Sequence, residues 1–136
     1  MGRQTALMPR FLLDTHAAIW WWNDDARLPQ TARQIIADQT NEIWVSAISA
    51  MEIATKARIG KLQDLPHAVE RYPVLMTRNG FHSLPVSDAH ALRAGQYPQE
   101  HRDPFDRFLA AQSEIEGMPL VTRDPQIANF GCDIIW

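Results

Sequence analysis

The chain has 136 residues, of which 46% are hydrophobic and 21% are charged, and its formal net charge is −3 at pH 7. A chain of this length and composition forms a single globular domain, residues 1–136, because it can bury roughly two thirds of the surface that it exposes when unfolded. The small negative charge argues against a protein that coats nucleic acid electrostatically, but it is compatible with an acidic enzyme site neutralised by cations.

The N-terminal segment and the cysteine content indicate a cytoplasmic protein without a membrane span. Residues 17–22 form the longest uninterrupted apolar run, which is too short to cross a bilayer. Residues 1–7 lack the apolar stretch of a secretory signal. The single cysteine, Cys132, excludes an internal disulfide and is typical of a reducing compartment. Because Met8 precedes the first predicted strand, translation can start there, and we expect residues 1–7 to be a dispensable tail.

The first predicted elements are a short strand, residues 11–13, and a helix that follows at once and ends near residues 23–25. An apolar run of strand length before a helical pattern is typical of a buried strand in a parallel sheet. The helix carries three consecutive tryptophans, residues 20–22. Aromatic side chains are enriched in cores and interfaces, so we expect these to serve the core and a partner surface, with base stacking as the alternative.

The middle of the chain continues the alternation of helix and strand. The predicted elements are a helix that Pro29 opens and that runs to about residue 38, a strand at 42–46, a helix from 47 to about 60 and a helical stripe at 66–78. Pro73 lies inside the last of these, and proline in a helix interior predicts a kink or a split there.

The C-terminal part is predicted to contain three further strands, at residues 81–86, 118–122 and 133–136. A helix from Ser87 or Asp88 to Ala94 follows the first of them, and a polar loop at 96–102 leads to a long helix that begins at Asp103. A short helix begins at 123–125. Strands that alternate with helices predict an α/β fold with a largely parallel sheet and helices on both faces.

Four carboxylates occupy comparable positions in this alternation: Asp14, Glu52, Asp106 and Asp124. The carboxyl ends of parallel strands share one edge of the sheet, so three of these acids converge by topology, and Asp106 joins them if its helix packs beside the first strand. Several carboxylates in one crevice repel each other unless cations intervene, and oxygen ligands suit Mg²⁺ or Mn²⁺. A cation bound there activates water and stabilises charge on a phosphate.

A helix-capping role is the alternative for three of these acids. Ser49 and Glu52 have the spacing of a capping box, although Ser46 is an equally good cap for the same helix. Asp106 takes a favourable position in the first turn of its helix, and Asp124 precedes a proline as an N-cap does. Asp14 differs from these three, because burying its charge behind an apolar strand is costly unless partners compensate it.

Four segments together resemble the motifs of PIN-domain proteins and, more narrowly, of the VapC-type toxins of bacterial toxin–antitoxin pairs. These segments are residues 11–16, 46–54, 101–107 and 120–124, and the runs Asp-Pro-Phe-Asp-Arg and Leu-Val-Thr-Arg-Asp within the last two are highly specific. The resemblance implies a three-layer α/β/α PIN-like fold with a central, mostly parallel sheet. It also implies a Mg²⁺- or Mn²⁺-dependent endoribonuclease that a VapB-type antitoxin holds silent.

The resemblance also implies roles for individual residues. The metal-binding and catalytic acids are expected to be the four already identified, and hydroxyl hydrogen bonds from Thr15 and Thr122 are expected to support them. Asp103 is either the cap of its helix or a further metal ligand, and we assign it to the cap because the family motif aligns on Asp106. Arg107 and Arg123 adjoin the acids and are expected either to contact phosphate or to form surface ion pairs.

Other polar residues near the acids receive simpler interpretations. Lys56 follows Glu52 by four residues and is predicted to pair with it along the helix. His16 and His101 neighbour the acids, and we expect them to cap or to hydrogen-bond rather than to transfer protons, since the five histidines show no metal-ligand spacing. Cys132 has no histidine-paired motif, which argues against a nucleophile.

The expected partners follow from the same resemblance. They are a cognate VapB-type antitoxin, an RNA substrate, a second copy of the chain in a homodimer that enters a toxin–antitoxin hetero-oligomer, and operator DNA reached only through the antitoxin. A binding module without catalysis is the main rival function. A phosphotransferase with Asp14 as nucleophile usually requires an acid two residues later, where this chain has His16. A structure-specific DNA nuclease on the same fold is the third rival.

Overall fold

A computed structural model describes residues 8–136, and the predicted tail at 1–7 lies outside the described residues. Strands and helices alternate as predicted. The elements are β1 (Arg10–Leu13), α1 (Thr15–Trp22), α2 (Gln30–Ala37), β2 (Glu42–Ser46), α3 (Ala47–Arg58), α4 (Ala68–Arg78), β3 (His82–Leu84), α5 (Asp88–Gln96), α6 (Pro104–Glu116), β4 (Leu120–Val121), a 3₁₀ helix (Pro125–Phe130) and β5 (Ile134–Ile135). Within residues 8–136 no helix is both long and apolar enough to span a membrane.

The five strands form one sheet in the order β3-β2-β1-β4-β5, and every described pairing is parallel. This confirms the predicted α/β class. The chain moves outward from the central strand β1 through β2 to β3 and then returns to β4 on the other side of β1. The direction of winding therefore reverses between β1 and β4, and in open α/β sheets ligands bind in the crevice at the carboxyl ends of the strands beside such a reversal.

Helices cover both faces of the sheet, as the three-layer prediction requires. Leu12 and Leu13 of β1 are both fully buried but point to opposite faces, because side chains alternate along a strand. Leu13 packs in a core with apolar side chains of α1, α2, α3 and α4. Leu12 packs in a second core with α5, α6 and the 3₁₀ helix, and Leu109 of α6 belongs to it. Helix α6 therefore lies against the central strand, which is the condition set for Asp106 to reach the site.

Several elements differ from their predicted boundaries, and proline bears on three of these differences. Pro73 does not split the helix, since α4 is continuous from Ala68 to Arg78. The carbonyl that Pro73 leaves without a backbone donor belongs to Val69 in the first turn, where the residue is half exposed and water can bind it. Strands β3 and β4 are shorter than predicted, because Pro85 and Pro119 cannot donate to a sheet ladder.

Candidate active site

A cleft of about 430 Å³ opens at the carboxyl ends of β1 and β4, beside the reversal in strand order. All four predicted acids line it. The complete lining is Asp14, Thr15, His16, Trp20, Glu52, Asp103, Asp106, Leu109, Thr122, Arg123, Asp124 and Pro125. Five carboxylates, one exposed arginine, two hydroxyls and the ring of His16 therefore face one space, and its remaining lining is apolar.

Asp14 lies at the inner end of the cleft and is 9% exposed. Its backbone N–H donates to the carbonyl of Val121 at 3.0 Å, which continues the pairing of β1 with β4. Its side chain caps α1, since Oδ1 accepts from the N–H of Ala17 at 2.8 Å. The pKa of Asp14 is raised to about 6, chiefly by burial and to a lesser extent by the charges of Asp106 and Glu52, while hydrogen bonds from Thr122 and Ala17 oppose the rise.

Glu52 lies in the second turn of α3 and does not form a capping box. Ser46 caps this helix, because its hydroxyl accepts from the N–H of Ile48 at 3.0 Å. The buried carboxylate of Glu52 instead accepts from the Thr15 hydroxyl at 2.6 Å through Oε1 and pairs with Lys56 at 2.9 Å through Oε2. The predicted pairing along the helix is confirmed, and Glu52 faces the cleft rather than the helix terminus.

Asp106 is the third residue of α6 and its side chain is also turned to the cleft. Asp103 caps the helix, since its Oδ1 accepts from the N–H of Phe105 at 2.9 Å and from that of Asp106 at 3.4 Å. The Oδ2 of Asp106 lies 2.8 Å from Nε2 of His101. The pKa of Asp106 is raised to about 6, chiefly by burial and to a lesser extent by the charges of Asp103 and Asp124, while His101 opposes the rise.

Asp124 caps the 3₁₀ helix and is linked to Asp14 through Thr122. Its Oδ1 accepts from the N–H of Gln126 at 2.9 Å, and its own N–H donates to the Thr122 hydroxyl at 3.2 Å. Thr122 is fully buried and also hydrogen-bonds to Asp14. The Thr122 hydroxyl therefore contacts the backbone of Asp124 and the side chain of Asp14.

His101 lies closer to the acids than the sequence indicated. One ligand atom each of His101, Asp106 and Asp124 can be chosen so that all three lie within 4.8 Å of one another. The expectation of a hydrogen-bonding histidine agrees with its contact to Asp106. Its place in this cluster was missed because it lies on an irregular loop, where spacing from an acid does not predict distance. The sequence signal that could have placed His101 at the site is that it belongs to the same short motif, residues 101–107, as Asp106.

The two arginines beside the acids differ in what they contact. The guanidinium of Arg107 donates to four backbone carbonyls of the segment that precedes α6: those of Ala94, Tyr97, Gln99 and His101, at 2.6 to 3.1 Å. It therefore holds the loop that carries His101 and does not line the cleft. Arg123 is exposed, lines the cleft and lies with its Cζ 4.8 Å from the ring centroid of Trp20.

The tryptophans of α1 divide into one core residue and two at the surface. Trp20 is 3% exposed, so it belongs to the core, and its ring does not offer a free face for base stacking. Trp21 and Trp22 are partly buried and line an open groove with Arg71 and Arg78.

The sequence matches the family model of the PIN domain over residues 11–131. The chain belongs to the PIN-domain family. It is also 30% identical over 127 residues to Ribonuclease VapC22 of Mycobacterium tuberculosis, in a match that covers 90% of this chain and 92% of that protein. The resemblance to VapC-type proteins that the four motifs indicated is thereby confirmed.

Solved structures of toxin–antitoxin complexes have the same fold. VapBC2 from Rickettsia felis, crystallised with a DNA fragment from its promoter, matches with a TM-score of 0.65 at 14% identity over 93% of this chain and 97% of that one. A toxin–antitoxin complex from Klebsiella pneumoniae matches with a TM-score of 0.60 at 18% identity, covering 87% and 89% of the two chains. At these identities the matches establish that the chain has the fold of these proteins.

The donor set of this PIN-domain cleft suits a hard divalent cation. The acids that line it offer carboxylate oxygens, which Mg²⁺ and Mn²⁺ prefer. The pKa values of Asp14 and Asp106 are both raised to about 6, so the cleft disfavours their ionised forms when nothing neutralises them. A bound cation would offset that cost.

Proposed function

We propose that this protein is a Mg²⁺- or Mn²⁺-dependent endoribonuclease and the toxin of a VapBC-type toxin–antitoxin pair. The observation that carries the proposal is that Asp14, Glu52, Asp106 and Asp124 line one cleft beside the reversal in strand order. The name of the relative that is 30% identical, Ribonuclease VapC22, supports the choice of RNA as substrate. In this proposal the protein acts in the cytoplasm.

Each acid has a role that follows from its position. Asp14, Asp106 and Asp124 hold the cation directly or through water, and Glu52 either binds a second cation or orients the attacking water. Thr15 and Thr122 hold Glu52 and Asp14 in place through their hydroxyls. A divalent cation in this cleft lowers the pKa of water and stabilises charge on the scissile phosphate.

The reaction is hydrolysis of an RNA phosphodiester by in-line attack of water. The water oxygen forms a new bond to phosphorus and loses a proton, while the bond between phosphorus and the 3′ oxygen breaks and that oxygen gains a proton. The products are a 5′-phosphate and a 3′-hydroxyl. A carboxylate at hydrogen-bonding distance from the water orients it and accepts its proton, and Glu52 is the acid we assign to this step.

Arg123 is the residue we propose for substrate binding. Its guanidinium lines the cleft, and among residues 8–136 it has no carboxylate partner within 4 Å, so it is available to a phosphate oxygen. The sequence predicted the same role for Arg107, but the guanidinium of Arg107 donates to backbone carbonyls. We propose that Arg107 acts on the substrate only by holding the loop that carries His101.

We further propose a cognate VapB-type antitoxin and a homodimer as the assembly, with operator DNA contacted only through the antitoxin. The solved relatives named above are themselves toxin–antitoxin complexes, one of them with promoter DNA, which supports an antitoxin partner. We assign the groove beside Trp21 and Trp22 to the antitoxin, because it is lined by two aromatic rings and two arginines, residue types that are enriched in interfaces.

The proposal is tested by measuring the cleavage of a mixed single-stranded RNA by purified protein from which antitoxin has been removed. Cleavage with Mn²⁺ or Mg²⁺ but not with EDTA is expected, and labelling of the products is expected to reveal 5′-phosphate ends. Cleavage that persists in EDTA, or that leaves cyclic phosphate ends, contradicts the metal-dependent mechanism. Binding to an antitoxin without cleavage of any RNA favours the binding-module rival.

A further inference from the structure

Lys56 supplies a positive charge to one of the four acids of the cleft. It lies one helical turn after Glu52 on α3, and its Nζ is 2.9 Å from Glu52 Oε2 and 3.4 Å from Nε2 of His16, which lines the cleft. Exposed pairs of this kind contribute little to stability. Here the side chains of Glu52 and Lys56 are only 10% and 28% exposed, so the ammonium offsets the burial of the carboxylate.

The other oxygen of Glu52 also has a protein donor. Oε1 accepts from the Thr15 hydroxyl at 2.6 Å, and that hydroxyl lies 2.9 Å from the hydroxyl of Ser49, from which it can accept. Both Thr15 and Ser49 are buried. Glu52 is therefore oriented at one oxygen by a buried hydroxyl pair and neutralised at the other by an ammonium.

The remaining three acids are in a different electrostatic environment. Within the described part of the chain, no lysine or arginine forms an ion pair with Asp14, Asp106 or Asp124. Their contacts are backbone N–H groups, the Thr122 hydroxyl and the ring of His101. The uncompensated negative charge of the cleft therefore lies with these three acids and with Asp103, whose contacts are backbone N–H groups.

We propose that Lys56 is a built-in counter-ion of Glu52, so that the cleft takes one divalent cation, held by Asp14, Asp106 and Asp124, and no second cation at Glu52. This rests on the proposed function and chooses between the two roles left open for Glu52. A second cation at Oε2 would approach the Lys56 ammonium closely, and like charges at short range in a buried site repel strongly. Lys56 is thus a positioning residue that keeps Glu52 oriented for the attacking water.

The test is the number of Mn²⁺ ions bound by the purified full chain without RNA, measured from the EPR signal of unbound Mn²⁺. The wild type and Lys56→Arg, which keeps the charge, are expected to bind one ion. Lys56→Met, which keeps the length of the stem and removes the charge, is expected to bind two. Two ions in the wild type, or one in Lys56→Met, overturn the counter-ion role but leave the nuclease proposal standing. No bound Mn²⁺ in the wild type overturns the proposed metal-dependent nuclease itself.

A second variant keeps the inference testable if Lys56→Met does not fold. Glu52→Gln is expected to bind one Mn²⁺ with an affinity within about two-fold of the wild type, since Glu52 is not its ligand. Asp106→Asn is expected to lose affinity by roughly ten-fold or more, because it removes a ligand oxygen. An equal loss in Glu52→Gln shows that Glu52 binds the ion and overturns the proposal. Circular dichroism of each variant confirms that the fold is retained.

Discussion

The ionised form of Asp14 is destabilised by burial in the metal-free protein. Its pKa is raised to about 6 by burial, and in the unfolded chain the same group has an ordinary value near 3.8. The folded metal-free protein therefore binds this proton more tightly than the unfolded chain does. The contribution of Asp14 to the stability of the metal-free protein is therefore present in full below pH 3.8 and is lost as the pH rises through 6.

Replacing Asp14 by Asn is expected to stabilise the metal-free protein at neutral pH. Asparagine is neutral, has the same shape and is an equally good N-cap for α1. We expect the free energy of unfolding to rise by about 2 kcal/mol at pH 7.5 and by much less at pH 4, where the wild-type carboxyl is already protonated when folded. Urea denaturation in EDTA measures both values, with the exposed Asp88→Asn as the control. Equal effects at the two pH values contradict the raised pKa.

Arg123 is expected to govern RNA affinity, and Arg27 provides a matched control. Both guanidiniums lie 4.8 Å from the Trp20 ring, but Arg27 is paired with Asp25 and does not line the cleft. Arg123→Gln is expected to raise KM for RNA about ten-fold and to reduce the salt dependence of binding by roughly one phosphate contact. Arg27→Gln is expected to change neither. Equal effects of the two substitutions would mean that Trp20 packing, not phosphate contact, is responsible.

For individual residues, the sequence predicted which acids line the cleft better than it predicted the contacts of the neighbouring arginines. The convergence of Asp14, Glu52 and Asp124 was predictable because each lies shortly after a strand of a parallel sheet, and that of Asp106 was predictable on the condition that its helix packs beside β1. The difference between Arg107 and Arg123 was not predictable. Both adjoin an acid in the sequence, and only the course of the loop before α6 directs one toward backbone carbonyls and the other toward the cleft.

At the start of helix α6, Asp103 is the N-cap and Asp106 is the third helical residue. The Oδ1 of Asp103 accepts from two backbone N–H groups, and the Asp106 side chain lines the cleft beside His101. Pro104 follows at the first helical position, where its missing N–H is not needed. The cap therefore serves the site by fixing where the helix that carries Asp106 begins.

Substitutions of Asp103 are expected to change stability rather than metal affinity. Asp103→Ala removes the cap and is expected to cost about 1 kcal/mol of unfolding free energy, whereas Asp103→Ser keeps the cap and is expected to cost much less. Both variants are expected to bind Mn²⁺ nearly as the wild type does. Thermal melting and a Mn²⁺ titration measure the two quantities. A large loss of Mn²⁺ affinity in Asp103→Ser assigns Asp103 to the metal site instead.

Elements were predictable from periodicity, but their ends depended on hydrogen bonding that periodicity does not encode. The choice between Ser46 and Ser49 as the cap of α3 was decided by which hydroxyl reaches a free N–H, and Ser49 packs instead beside Thr15. Pro73 was expected to kink or split its helix, and the split does not occur. The unpaired carbonyl that it creates lies at an exposed end of α4, so the cost of keeping the helix continuous is small.

At the scale of the whole molecule, the strand order brings the acids together. Asp14 and Asp124 follow β1 and β4, which are neighbours, while Glu52 follows β2 on the other side of β1. The order was not deducible from the sequence, since parallel strands of similar composition can be arranged in several ways. What the sequence did predict is that Asp14, Glu52 and Asp124 share one edge, and this holds for any parallel order. Asp106 joins them only because α6 packs against β1.

The groove beside α1 gives the antitoxin proposal a direct test. Trp21→Ala and Trp22→Ala are expected to weaken the complex with the cognate antitoxin, because aromatic anchors dominate interfaces. Trp20→Ala is unsuitable, since Trp20 is buried and its loss would destabilise the core. The mass of the co-purified complex measures the effect, and Leu92→Ala at a strongly exposed site is the control. An unchanged mass and affinity in both tryptophan variants places the partner elsewhere.

The measurement that tests the central claim most directly compares RNA cleavage by the wild type, Asp14→Asn and the control Asp88→Asn, each with and without Mn²⁺. Asp14 lines the cleft, whereas Asp88 is an exposed acid of α5 that does not. We predict metal-dependent cleavage by the wild type and by Asp88→Asn, and a loss of about 100-fold or more in Asp14→Asn, whose fold is retained. Metal-dependent cleavage at the wild-type rate by Asp14→Asn would contradict the claim that the acids of this cleft form the active site.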